Sequence, residues 1–226
     1  MSRIVLKVGG AVAGEAATLT LALAQRHEVC VVHGAGPQIS AELERAGLEV
    51  RFVDGRRVTS EAALGVVRDS FAAVNADVCS AIGPLAVPLF GDEIGLEAVR
   101  VPELGHVGSP LPSAPAAIQE ALEAGLIPVV APLGVERLGL GPLNVNADEA
   151  AAALSVGLGA DKLLFVTDVP GLLLGGAVAS TIRVAEAERL LAAGALGGGI
   201  VPKLHAAVVA THGGVDATIG ATAVVA

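Results

Sequence analysis

The chain has 226 residues, of which 53% are hydrophobic, 16% charged and 2% aromatic, with a formal net charge of −9. An acidic chain argues against nucleic acid as the main partner, which usually demands a basic face. A mean hydropathy of +0.70 raises a membrane span as the first alternative. A spanning helix needs about 20 unbroken apolar residues, and no such stretch exists: the runs at 4–6, 29–32 and 163–166 are short, and the one at 206–210 stops at Thr211-His212-Gly213-Gly214. Short runs rich in Val, Ile and Leu fit parallel strands buried on both faces.

The first predicted strand, 3–8, ends at Gly9-Gly10 and leads into an Ala/Leu-rich helix over 15–26. A strand at 29–32 closes at His33-Gly34-Ala35-Gly36-Pro37, followed by a helix over 38–46. A polar turn at 54–59 precedes a helix over 60–75, and 82–108 reads as short strands broken by Gly and Pro, with a loop or hairpin at its end, 103–108. A helix at 114–124 leads into a strand at 127–131. Asn144-Val145-Asn146-Ala147-Asp148 then opens a helix over 149–156. The strand 162–166 ends at Thr167-Asp168-Val169-Pro170-Gly171. A helix at 186–193 and another opened by Gly197-Gly198-Gly199-Ile200-Val201-Pro202-Lys203 precede the last strands, 217–219 and 223–225.

This alternation predicts an α/β fold, a three-layer αβα sandwich with a mostly parallel central sheet. With one continuous sheet, the expected division is an N-terminal lobe over 1–143 and a C-terminal lobe over 144–226, joined near 140–146. Cys30 and Cys79 lack the spacing of a zinc site or a disulfide scaffold. With no apolar signal segment at the start, they point to a reducing cytoplasm.

In open α/β sheets ligands gather at the carboxyl ends of strands, and five places there carry glycine or polar residues. At Lys7-Val8-Gly9-Gly10 the glycines let backbone N–H groups approach phosphate oxygens and Lys7 adds a charge; a surface lysine before a tight turn is the alternative. The His33–Pro37 turn breaks the dinucleotide pattern G-x-G-x-x-G, because Ile39 stands at the third glycine. It keeps the free amides of a helix start. Arg57 suits bidentate carboxylate recognition, and one of Arg56 and Arg57 fits a solvated side chain. Asn144, Asn146 and Asp148 alternate on one face, and one of them can serve as a helix cap. The segment 198–203 is no Walker A loop. Of the three lysines in the chain two lie beside these turns, as do two of the three asparagines. That concentrates scarce cations and amides where an anion would sit.

Taken in chain order, these motifs resemble the amino acid kinase family. The matches are Lys7-Val8-Gly9-Gly10, Val32-His33-Gly34-Ala35-Gly36-Pro37, Gly55-Arg56-Arg57-Val58-Thr59, Glu103-Leu104-Gly105-His106-Val107-Gly108, Asn144-Val145-Asn146-Ala147-Asp148, Thr167-Asp168-Val169-Pro170-Gly171 and the 198–203 turn. The Leu-Gly-His-Val-Gly and Arg-Val-Thr segments favour the members that act on N-acetyl-L-glutamate. The resemblance implies transfer of the γ-phosphoryl group of ATP to a side-chain carboxylate in arginine biosynthesis. It implies Mg2+ held mainly by the phosphates, with no protein metal ligand. Lys7 and Lys203 are then catalytic, with Asp148 orienting them. Gly34, Ala35, Arg57 and Asn144 bind the acceptor, and Gly9, Gly10, Thr167, Asp168 and Gly171 the ATP phosphates and nucleotide, with weaker matches at 195–197. Another acidic amino acid, a carrier-bound aminoadipate or a non-catalytic ligand sensor are the alternatives. The family has glycine where Ala35 stands and methionine where Ile200 stands. The stretch 75–87 and the segment between the last strands are short. Because the chain begins at its first strand, a homodimer without arginine feedback through an N-terminal helix is expected.

Overall fold

A computed structural model describes residues 1–9, 13–139 and 141–226, with the side chains of residues 13–15 outside the description. Gly10, expected at the phosphate, lies outside these residues. The central sheet contains β1 (Ser2–Val8), β2 (His27–His33), β3 (Ala86–Phe90), β4 (Ile127–Ala131), β5 (Lys162–Val166), β6 (Thr181–Arg183), β7 (Asp216–Ile219) and β8 (Thr222–Val225). Their order is β6-β8-β7-β5-β1-β2-β4-β3. Every neighbouring pair is parallel except β7 with β8. The helices are α1 (Ala13–Ala24), α2 (Gly36–Arg45), α3 (Glu61–Ile82), α4 (Gly91–Ile94), α5 (Ala116–Glu123), α6 (Ala147–Gly157), α7 (Val184–Ala192) and α8 (Ile200–His212).

Side chains alternate across a strand, and the two rows feed two separate cores. Ile4, Leu6, Val29 and Val31 pack with Leu43 of α2 and Val67 and Phe71 of α3. Val5, Cys30, Val32, Leu163 and Phe165 pack with Leu154 of α6 and Leu204 of α8. This is the expected sandwich, and it fixes two directions. Lys7 continues the Val5 row, toward α6. His33 continues the Val31 row, toward α3.

A second, four-stranded sheet closes on itself from Glu97–Arg100, Val107–Pro110, Leu133–Glu136 and Pro142–Val145. Its interior has no room for side chains at two positions. A Cβ on Gly108 would stand 2.8 Å from Ala98 Cβ, and one on Gly134 would stand 3.0 Å from the same atom.

Some boundaries differ from expectation. Helix α3 runs on to Ile82, because Val74, Val78 and Ile82 keep the buried helical period and only Gly83, at φ 87°, ends it. Helix α1 starts and stops two residues earlier than the predicted 15–26. The turn at 54–59 belongs to a hairpin pairing Phe52–Val53 with Arg56–Arg57. Asp54 and Gly55 both have positive φ, 49° and 76°, the geometry that favours Asp-Gly between twisted strands. Residues 103–108 are the end of a hairpin, as expected: Glu97–Arg100 pairs antiparallel with Val107–Pro110, and a 3-10 turn, Pro102–Leu104, lies in the connection. Among the described residues no helix is long and apolar enough to cross a membrane.

Candidate active site

Helix α6 starts where the sequence placed its Asn/Asp motif. Asn146 caps it, Oδ1 accepting from the N–H groups of Asp148 at 2.8 Å and Glu149 at 3.3 Å. That cap fixes Asp148 in the first turn, facing the end of β1. Lys7 Nζ lies 2.8 Å from Asp148 Oδ1, and Lys203 Nζ, from α8, lies 3.5 Å from Oδ2. The Asp148 side chain is 6% exposed and those of Lys7 and Lys203 are 8% and 12% exposed. The Lys7 contact is an ion pair without hydrogen-bond alignment at Oδ1. Burial pulls the Lys203 ammonium below the ordinary lysine value; Asp148 opposes that shift and Lys7 adds to it. Two cations on one carboxylate leave one net positive charge, held out of water and suited to an anion.

A cleft of about 190 Å³ opens beside this cluster, and Lys7, Gly34, Ala35, Arg57, Asn144 and Asp148 all line it. The structure thus gathers the predicted catalytic lysine and aspartate with every predicted acceptor residue. Arg57 is 5% exposed. Its Nη2 donates to Gly36 O at 3.0 Å and Ser40 Oγ at 2.8 Å, and its guanidinium stacks 4.5 Å over the Phe52 ring. Its Nη1 is buried without a hydrogen-bond partner. Burial lowers the Arg57 pKa, but arginine starts so high that it stays charged. Asn144 Nδ2 donates to Thr59 Oγ1 at 3.0 Å, whose hydroxyl donates to Arg57 O at 2.8 Å.

The backbone behind Thr59 is held by the segment 104–106. Thr59 N–H donates to Leu104 O at 2.9 Å, His106 N–H to Thr59 O at 2.7 Å, and Asn144 N–H to His106 O at 2.9 Å. Gly105 makes this approach possible: its φ is 83° and a Cβ would stand 2.4 Å from Thr59 O.

The glycine turns behave differently from expectation in one respect. Gly34 N–H donates to Val8 O at 2.9 Å and Gly9 N–H to Val166 O at 3.4 Å. Both amides extend the parallel ladders past the strand ends and do not face an incoming phosphate. A Cβ at Gly34 would meet ordinary contacts at 3.8–3.9 Å, one of them Lys7 Nζ. The Ala35 N–H finds no acceptor among the described residues, and α2 begins without a side-chain cap. Ala35 has a negative φ, −144°, so its methyl brings no left-handed strain.

A second opening, about 310 Å³, is lined by Val169, Gly171, Leu172, Gly197, Gly199 and Ile200. Of the predicted nucleotide residues Gly171 lines it, as do the weaker matches at 195–197, while Thr167 and Asp168 do not. Thr167 Oγ1 instead donates to Asp168 Oδ1 at 3.1 Å. Gly171 also has a packing reason: at φ 146° a Cβ would stand 2.6 Å from Thr222 Oγ1. Lys203 lies one helical turn beyond Ile200, between this opening and Asp148.

The sequence pattern of the amino acid kinase family matches residues 2–220. The chain belongs to the amino acid kinase family. This amino acid kinase is 42% identical over 226 residues to the acetylglutamate kinase of Rubrobacter xylanophilus, covering 97% of this chain and 88% of that one. It is 36% identical over 216 residues to the acetylglutamate kinase of Geobacillus kaustophilus, covering 90% and 83%. Among solved structures, smu.665 from Streptococcus mutans superposes with a TM-score of 0.90 at 27% identity over 99% of this chain and 98% of that one. Carbamate kinase from Giardia lamblia bound to AMP-PNP gives a TM-score of 0.72 at 16% identity, covering 99% and 98%; at that identity the likeness shows the fold alone.

Several site neighbours of this kinase escaped the sequence reading. Arg56 is no solvated side chain: Nε and Nη2 grip the two oxygens of Glu149 at 2.8 and 2.9 Å. Asn146 Nδ2 donates to Gly55 O at 2.9 Å, so the hairpin is tied to the start of α6. Thr59 was legible only as part of a motif. His33 was read as part of a glycine turn, and Asn75 as a helix end. Their scarcity, five histidines and three asparagines in the chain, was the only signal.

Proposed function

We propose that this amino acid kinase transfers the γ-phosphoryl group of ATP to the side-chain carboxylate of N-acetyl-L-glutamate, giving an acyl phosphate in arginine biosynthesis. Arg57 carries the reading: it is a buried cation with a free Nη1 in the same cleft as Lys7 and Asp148. The free Nη1 donates to the α-carboxylate of the acceptor. Asn144 Nδ2 is occupied by Thr59, which leaves its carbonyl oxygen to accept the N–H of the acetylated amine. The side-chain carboxylate then points toward the lysines.

That carboxylate is already ionised near pH 7, so no general base is needed. The difficulty is bringing two anions together, and positioning with charge compensation supplies most of the catalysis. Lys7 and Lys203 neutralise the transferring group. Asp148 keeps both aimed, and the Ala35 N–H donates to an oxygen in the cleft. The nucleotide lies in the 310 Å³ opening with its phosphates directed past Lys203. Asp148 is already engaged by two lysines, and Mg2+ carried on the phosphates would add positive charge there. Residues 1–143 form the acceptor and dimerisation lobe and 144–226 the nucleotide lobe, and the active species is a homodimer.

Trapping with hydroxylamine tests the reaction class. Hydroxamate is expected with N-acetyl-L-glutamate and Mg-ATP, and far less with L-glutamate or L-aspartate. Equal trapping from the free amino acids would contradict the acceptor assignment.

A further inference from the structure

His33 is fully buried at the end of β2, and phosphoryl transfer as described above gives it nothing to do. Its ring packs edge-on against Phe71, with centroids 5.9 Å apart. Its hydrogen bonds determine its tautomer. The Val129 carbonyl can only accept, so the Asn75 atom 2.9 Å from it is the amide nitrogen. The same nitrogen lies 3.1 Å from His33 Nε2. Nε2 must therefore accept, and the proton of the neutral ring sits on Nδ1. Burial also holds the ring neutral, with its pKa lowered to about 4. Nδ1 faces Gly34 O at 3.5 Å, at the long limit of a hydrogen bond.

A peptide plane carries its carbonyl and the next N–H on opposite sides. Holding Gly34 O toward His33 therefore turns the Ala35 N–H the other way, and Ala35 lines the cleft. We propose that His33 and Asn75 are positioning residues that fix the Gly34–Ala35 peptide so that the Ala35 N–H is aimed at the anion in the cleft. The chain runs from Val129 O through Asn75 and His33 to Gly34 O. It anchors the Ala35 amide, which finds no acceptor among the described residues, against the central sheet. The kinetic consequence rests on the proposed phosphoryl transfer; the tautomer does not.

Two readouts test this. Long-range 15N NMR of the wild-type chain reads the His33 tautomer directly, and a proton on Nδ1 is expected; an Nε2–H ring overturns the proposal. In steady-state kinetics, removing one donor to a transition-state anion typically costs about 100-fold or more in kcat, so mis-aiming the Ala35 N–H by His33→Leu is expected to cost at least about tenfold. KM values should move less than about threefold. His33→Asn, whose amide reproduces the Nδ1–H, should recover most of the loss. If His33→Leu does not fold, Asn75→Leu carries the same test with a smaller expected drop. A variant kcat within about threefold of wild type, or no recovery in His33→Asn at equal thermal stability, overturns the proposal. Wild-type inactivity would count against the proposed function instead, and the tautomer then decides this inference alone.

Discussion

Lys7 Nζ and Asp148 Oδ1 stand 2.8 Å apart, and the same carboxylate faces Lys203 at 3.5 Å. Neutralising it leaves two ammonium groups facing each other across a buried gap. Asp148→Asn should lower kcat about 100-fold or more, in line with loss of an electrostatic group at a transition state. The Asn146 cap, independent of the Asp148 side chain, keeps α6 in place. Circular dichroism should therefore match wild type while steady-state turnover collapses.

The pH profile carries a sign. Burial favours neutral Lys203, so its pKa lies below the 10.5 of a free lysine. Activity that needs the ammonium falls as pH rises through that lowered value, and the alkaline limb of kcat/KM reports it. Asp148 opposes the shift, so Asp148→Asn should move the limb to lower pH. Stability responds the other way: the cost of burying the charge is lifted as pH climbs from the folded value to 10.5. An alkaline limb at or above 10.5 in the wild type would contradict this.

Arg57 should govern one substrate and spare the other. Hydrogen bonds to charged groups contribute about 1.5–3 kcal/mol, so Arg57→Ala should raise the acceptor KM by about tenfold to a hundredfold. The KM for ATP should change little. A parallel rise in both would place Arg57 in the general fold of the cleft.

Two glycines in the site should part company on substitution. A Cβ on Gly34 meets only ordinary contacts, at 3.8–3.9 Å, one of them Lys7 Nζ. Gly34→Ala should fold with an unchanged melting temperature and lose activity, because the methyl occupies space beside Lys7. At Gly105 the φ is 83° and a Cβ would stand 2.4 Å from Thr59 O. Gly105→Ala should cost at least about 2 kcal/mol of stability, from strain and overlap together. Differential scanning calorimetry separates the two.

Much of this was legible beforehand. Short apolar runs that alternate with helical segments specify a buried parallel sheet, and the eight-stranded sheet follows. Lys7 and Lys203 stood out because lysine is scarce and sits at glycine turns, and Asp148 because it alternates with Asn144 and Asn146 just before a helix. The rest depends on geometry that spacing does not encode. Nothing in Gly34 or Gly9 tells that their amides continue the sheet ladders. Arg56 and Arg57 are adjacent, chemically alike and both line the cleft, yet one grips Glu149 and the other keeps a free Nη1. Asn75 was placed at a helix end, but Val78 and Ile82 continue the helix beyond it. Only the packed core shows that they continue one buried face.

The central claim is met most directly by ADP release with N-acetyl-L-glutamate and Mg-ATP, comparing wild type with Lys203→Ala. The account expects sustained turnover in the wild type, dependent on the acceptor, and its collapse in the variant. Wild-type protein that binds both ligands without releasing ADP, or a Lys203→Ala variant that turns over normally, would contradict it.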